Sequence, residues 1–242
     1  MNDARRAEIA DNLALVRARI AAACAAAGRS TAEIVLVGVT KTFPASDVAL
    51  LAELGVRDIG ENRDQEAAPK AARLAKDAEA HPSIGLVRWH FIGALQTNKC
   101  RSVSRYASVV HSVDRPRLVA ALARAASDRA APLDCLVQVD LDDGAAAGRA
   151  GAPLATVAAL ADAVAEAPEL RLAGVMAVAP LGADPWRAFA RLADVAAGVR
   201  ADHPEASAIS AGMSGDLEAA IANGATLLRV GAALLGSRVV AR

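Results

Sequence analysis

Aromatic residues are scarce in this 242-residue chain: two Trp, one Tyr and three Phe, 2% of the total. So few rings argue against a stacking platform for single-stranded nucleic acid. An excess of charge is also missing. Lys plus Arg number 27 and Asp plus Glu number 27, which speaks against a general binder of phosphate backbones. The three cysteines, Cys24, Cys100 and Cys135, lie far apart. With no CxxC or Cys/His spacing they suggest neither a disulfide framework nor a zinc site. No stretch reaches the roughly 20 uninterrupted apolar residues of a membrane span. The start, MNDARRAEIADN, is charged and has no apolar core of a secretory leader. The expectation is a cytoplasmic protein in a reducing compartment, with no nucleic-acid or membrane partner.

What is present is a core. Hydrophobic residues make up 54% and charged residues 22%, so the chain is not a disordered tail. An alanine-rich segment from about 4 to 27 is apolar at Ile9, Leu13, Val16 and Ile20 and ends at Gly28. That spacing predicts an N-terminal helix. Eight short β-branched runs follow, at about 34–39, 56–59, 86–92, 107–113, 133–140, 171–178, 206–210 and 225–230. Amphipathic stretches separate many of them, at 46–54, 62–79, 115–127, 153–166, 184–198 and 214–222. Strand–helix alternation calls for a parallel sheet with helical crossovers. Eight units in this length predict one (β/α)8 TIM barrel over 1–242, with the extra N-terminal helix in front. A doubly wound sheet is the alternative, but no GxGxxG follows the first strand. Gly144, Gly148 and Gly151 enrich a loop after the fifth strand that is expected to be mobile, and 78–85 reads as an exposed loop.

Such barrels carry their sites at the C-terminal ends of the strands. The strands deliver, in order, Lys41; Glu61 and Asn62; Gln96, Asn98 and Lys99; His111, Ser112 and Asp114; Asp140 and Asp142; Met176 and Pro180; Ser210, Gly212 and Ser214; Arg229 and Gly231. Val35, Val37, Val39 and Lys41 share a strand face. If the valines fill the interior, Lys41 points into the mouth, where partial desolvation favours a reactive amine. By position alone it also reads as an ordinary strand-end lysine. Strand seven ends in ISAGMSGDLEAAI. There Gly212 and Gly215 permit close backbone approach, Ser214 is a candidate N-cap, and Asp216 and Glu218 fall in the next helix's first turn. Strand eight ends in LLRVGAALLG, with Gly231 opening the backbone. Loops after strands seven and eight often bind phosphate in barrels. A lysine and a phosphate cup together imply a phosphorylated carbonyl ligand, for which pyridoxal 5′-phosphate (PLP) is the economical candidate.

The sequence resembles the pyridoxal phosphate homeostasis proteins, which are built like the N-terminal domain of alanine racemase. The likeness runs from about 30 to 238. Its carriers are VGVTKTFP around Lys41, LGVRDIGENRDQEA at 54–67, WHFIGALQTNK at 89–99, HSVD at 111–114, GVMAVAP at 174–180, GMSGDLEAAI at 212–221 and RVG at 229–231. The resemblance implies a single barrel in which Lys41 forms a Schiff base with PLP. It places phosphate contacts on Ser210, Gly212, Ser214 and Gly231, sets Arg229 against the pyridine nitrogen, and puts Asn62 near the cofactor. The family more often has Met at Ala211, Thr at Ala232 and Phe near Leu235. Losing the threonine hydroxyl leaves the backbone N–H of Ala232 as the phosphate donor there.

The resemblance also implies a carrier that supplies PLP to apo-enzymes, not an efficient enzyme, and a monomer is expected because the racemase's second domain, its usual dimer contact, has no room here. A guanidinium facing the ring nitrogen disfavours its protonation and so weakens the ring as an electron sink. The only tyrosine, Tyr106, precedes the fourth strand, away from the mouth. The alternatives are a PLP enzyme such as a slow amino-acid racemase, or an aldolase-like barrel using Lys41. Glu61, His90 and His111 read either as acid–base groups or as hydrogen-bonding residues of the barrel, and alternation does not decide which way His90 faces.

Overall fold

In the computed structural model, residues 2–78, 82–142 and 150–236 are described. Eight parallel strands close into a barrel in sequential order, β1 pairing with β8. They are β1 Val35–Val39, β2 Asp58–Glu61, β3 Arg88–Phe91, β4 Ala107–Val113, β5 Leu133–Gln138, β6 Leu170–Met176, β7 Ala208–Ser210 and β8 Leu227–Val230. The helices around them are α1 Asn2–Ala26, α2 Ala45–Glu53, α3 Asp64–Asp77, α4 Cys100–Tyr106, α5 Pro116–Ala126, α6 Val157–Ala165, α7 Pro185–Asp202, α8 Leu217–Ala222 and α9 Ala232–Leu235. The expected TIM barrel with its extra N-terminal helix is what forms.

Strand alternation splits the apolar residues into two cores. Val37, Val109, Leu136, Met176 and Leu227 fill the barrel, with Val35, Ala173 and Ala208 against them. Residues of opposite parity, such as Ile59, Trp89, Phe91, Cys135 and Val137, face the helices and build the larger outer core. Burying each such aliphatic or aromatic side chain contributes roughly 1.5–3 kcal/mol. Helix α1 presents Ile9, Leu13, Val16 and Ile20 to that outer layer, at the spacing its sequence shows. Pro116 and Pro185 stand in the first turns of α5 and α7, where no backbone N–H is needed, and Asp184 accepts from Trp186 N at 3.0 Å to cap α7.

Some boundaries differ from expectation. The second strand begins at Asp58, not 56, because Val56 packs outward at the end of the α2 turn. The short α4 is absent from the sequence reading, since CRSVSRY is too short and polar to show a helical period. Of the glycine-rich loop after β5, Gly144 and Gly148 lie outside the described residues, as do 79–81 of the other loop. All three thiols are buried and unpaired, and burial pushes Cys100 up to about 11. No described helix is long and apolar enough to cross a membrane.

Candidate functional site

Lys41 sits in the turn beyond β1, half-buried. Val35 and Val37 point into the barrel, while Gly38 faces Leu51, Val56 and Ile59 in the outer layer. Thr40 turns to the helix side, where it meets Glu61. The next residue, Thr42, has φ +70°, the one positive φ outside glycine among the described residues. A non-glycine residue pays about 1–3 kcal/mol for such backbone, so something must hold it. Helix α3 does. Glu66 Oε2 accepts from Thr42 N at 2.9 Å, and Lys70 Nζ donates to Thr40 O at 2.9 Å. The chain is thus clamped on both sides of Lys41, whose own amine has no hydrogen-bond or ion-pair partner among the described residues.

Glu61 completes this clamp and does not enter the mouth. Its Oε1 accepts from Lys70 Nζ at 2.6 Å and from Thr40 Oγ1 at 2.7 Å, within the outer layer. Burial raises its pKa above the usual carboxylate range, with Lys70 and Thr40 pulling the other way. Tyr106 lies in the same layer, its ring edge-on to Trp89 at 6.3 Å, and burial raises its phenol. Asn62 follows Glu61 on the opposite parity, half-buried, with its side chain unpaired among the described residues.

On the far side, β7 and β8 bring their turns together. Arg229 N donates to Gly212 O at 2.9 Å. Gly212 has φ +86°, and a Cβ there would stand 2.6 Å from that of Ala220. A Cβ on Gly231 would reach 3.2 Å from Val39 O, so the β8 turn lies close on β1. No carbonyl accepts from the amides of Ser214, Gly215, Gly231 or Ala232 among the described residues. Ser214 is not the N-cap of α8, which starts at Leu217 with Asp216 before it. Asp216 Oδ1 instead accepts from Met213 N at 2.6 Å and tightens the turn. That turn carries Ser214 across to β8, where its Oγ accepts from Ala233 N of α9 at 3.3 Å.

Arg229 is buried, with no carboxylate against it among the described residues. One terminal nitrogen donates to Ser210 Oγ at 2.5 Å and the other to Ala177 O at 2.9 Å. Burial lowers its pKa to about 10. Ser210 Oγ also lies 2.9 Å from His111 Nδ1, so its hydroxyl is engaged inside the barrel. His111 Nε2 is 2.8 Å from His90 Nδ1, and His90 Nε2 is 2.8 Å from Asp58 Oδ1. His90 therefore faces inward. Burial, then His90 and Arg229, hold His111 well below the usual imidazole range. Several other strand-end residues pair locally or fill space, while the Ser112 hydroxyl is buried without a partner among the described residues. Asp114 binds Arg115 at 2.5 Å, Asp140 Oδ1 accepts from Asp142 N at 2.9 Å, Lys99 stands 3.9 Å from Asp64, and Met176 is interior packing.

Residues 6–239 match the family model described as alanine racemase, N-terminal domain. A pyridoxal phosphate homeostasis protein of Mycobacterium tuberculosis is 46% identical over 244 residues, covering 97% of this chain and 94% of the relative. One from Escherichia coli is 40% identical over 236 residues, covering 96% and 97%. The chain belongs to the pyridoxal phosphate homeostasis protein family. The solved structure of PipY from Synechococcus elongatus, described with PLP bound, superposes with a TM-score of 0.79 at 31% identity, covering 94% of this chain and all of that one.

Within this family member, Lys41, Gly212, Ser214, Arg229, Gly231 and Ala232 all stand at the C-terminal end of β1, β7 and β8, which are consecutive around the barrel. Sequence reasoning missed Asp58, Lys70 and Glu66. Asp58 had a signal: it shares a strand face with Gly60 and Asn62. The clamp residues had none, because their partners, Thr40, Thr42 and Glu61, lie beyond β1 and at the end of β2.

Proposed function

We propose that this chain holds PLP covalently at Lys41 and hands it on to apo-enzymes in the cytoplasm. Bound PLP brings an aldehyde that condenses reversibly with an amine as a Schiff base. The observation that carries the reading is the occurrence, at the ends of neighbouring strands, of a half-buried lysine without a partner and a buried guanidinium without a carboxylate among the described residues. Between β7 and β8, the amides of Ser214, Gly215, Gly231 and Ala232 suit a phosphate, with the Ser214 hydroxyl beside them. Ser210 contributes through Arg229, which it anchors. Arg229 suits the ring nitrogen, where a cation keeps that nitrogen unprotonated. Asn62 lines the same end. This arrangement binds and orients. Among the described residues, Tyr106 and Glu61 face the helix layer and do not serve as a second base at Lys41.

A holo-protein offered a panel of amino acids and, separately, a PLP-free apo-enzyme tests the reading. Cofactor transfer without turnover is expected. Racemisation or transamination at about 1 per second or faster would overturn the carrier role.

A further inference from the structure

Five polar side chains from β2, β3, β4, β7 and β8 run in one file through the barrel: Asp58, His90, His111, Ser210 and Arg229. We propose that Asp58, His90, His111 and Ser210 form a one-way hydrogen-bond relay that fixes the orientation of Arg229, which makes them positioning residues for the group Arg229 faces.

The direction follows from the two ends. A guanidinium only donates, and the Asp58 carboxylate, also 3.3 Å from Arg88, only accepts. Arg229 donates to Ser210 Oγ, which frees the serine proton for His111 Nδ1. His111 must then carry its proton on Nε2 and donate to His90 Nδ1. His90 likewise carries its proton on Nε2 and donates to Asp58 Oδ1. With both rings neutral, no other arrangement satisfies every link. Protonating His90 would turn His111 round, leave the Ser210 proton without its acceptor, and add a second buried cation near Arg229. A buried hydroxyl left without an acceptor, beside a second buried charge, opposes that state. The site therefore has one hydrogen-bond arrangement, set from the opposite end of the barrel. The consequence for PLP rests on the reading given under Proposed function; the relay itself does not.

The test begins on the ligand-free protein at pH 7, by long-range 1H–15N NMR of the imidazoles. Both His90 and His111 are expected neutral with the proton on Nε2. A proton on Nδ1 of either ring, or a doubly protonated ring, overturns the proposal. Next, His90→Leu removes a ring that does not touch Arg229. The Arg229 Nη signals are expected to be distinct in the parent and to merge in the variant as the guanidinium gains rotation, while merged signals in the parent or unchanged signals in the variant overturn the proposal. If this variant does not fold, the tautomer measurement on the parent still decides. Loaded with PLP, a folded His90→Leu protein should show a shifted cofactor absorbance maximum, and an unchanged maximum counts against positioning. A parent that takes up no PLP yet shows both Nε2–H tautomers sinks the cofactor reading and supports the relay.

Discussion

The two ends of the barrel treat charge in opposite ways. At the N-terminal end, Asp58, Arg88, Asp134 and Arg171 close on one another. Arg171 donates to both Asp134 oxygens at 2.6 Å, and Arg88 lies 3.3 Å from Asp58 and 3.8 Å from Asp134. At the C-terminal end, Lys41 has no partner and Arg229 has neutral ones among the described residues. Arginines meet carboxylates at one end and neutral groups at the other, which under the proposed reading leaves the second end to an anionic, carbonyl-bearing ligand. The first arrangement is closed on itself, and under the proposed reading the second is the one that binds.

The comparison breaks most sharply at the phosphate. Pyridoxal lacks the group that the β7 and β8 turns would hold. Charge-assisted hydrogen bonds contribute roughly 1.5–3 kcal/mol each, so losing several should weaken binding more than about 100-fold relative to PLP. Equal affinity in a fluorescence titration of the two vitamers would remove the cup.

The line of groups joining the two ends gives a pH effect. The folded pKa of His111 is lowered, so the unfolded chain binds its proton first as pH falls. Its contribution is full above the ordinary imidazole value near 6.5 and declines below it, by at most about 1.4 kcal/mol per pH unit. Denaturant midpoints at pH 7 and pH 5 should show this loss, and His111→Gln should flatten it.

Smaller effects follow at the two ends. Ser214→Ala removes the acceptor for Ala233 N and should cost about 1 kcal/mol, seen in both stability and PLP affinity. Asp134→Asn weakens its pairing with Arg171, which is 65% exposed, so the stability loss should stay within about 1 kcal/mol. PLP affinity should not change. A large affinity loss from Asp134→Asn would mean that the closed end also shapes the site.

The sequence shows the barrel because eight β-branched runs between helices leave few other closures. It places Lys41, Gly212 and Arg229 at the C-terminal strand ends because strand order and turn chemistry are local, while the role expected of Arg229 comes from the family resemblance alone. Other features depend on neighbours distant in the chain. Ser214 looks like a cap for the helix that follows it, but the Met213–Asp216 turn hands it to α9. Glu61 looks like a mouth residue, yet parity turns it toward Lys70. The relay needs β2, β3, β4, β7 and β8 at once, so no window of sequence contains it.

The most direct measurement is borohydride reduction of the PLP-loaded protein, followed by peptide mass analysis. A phosphopyridoxyl group on the peptide containing Lys41, absent from Lys41→Ala, is the predicted result. Bound PLP that reduces onto another lysine, or onto none, would contradict the account.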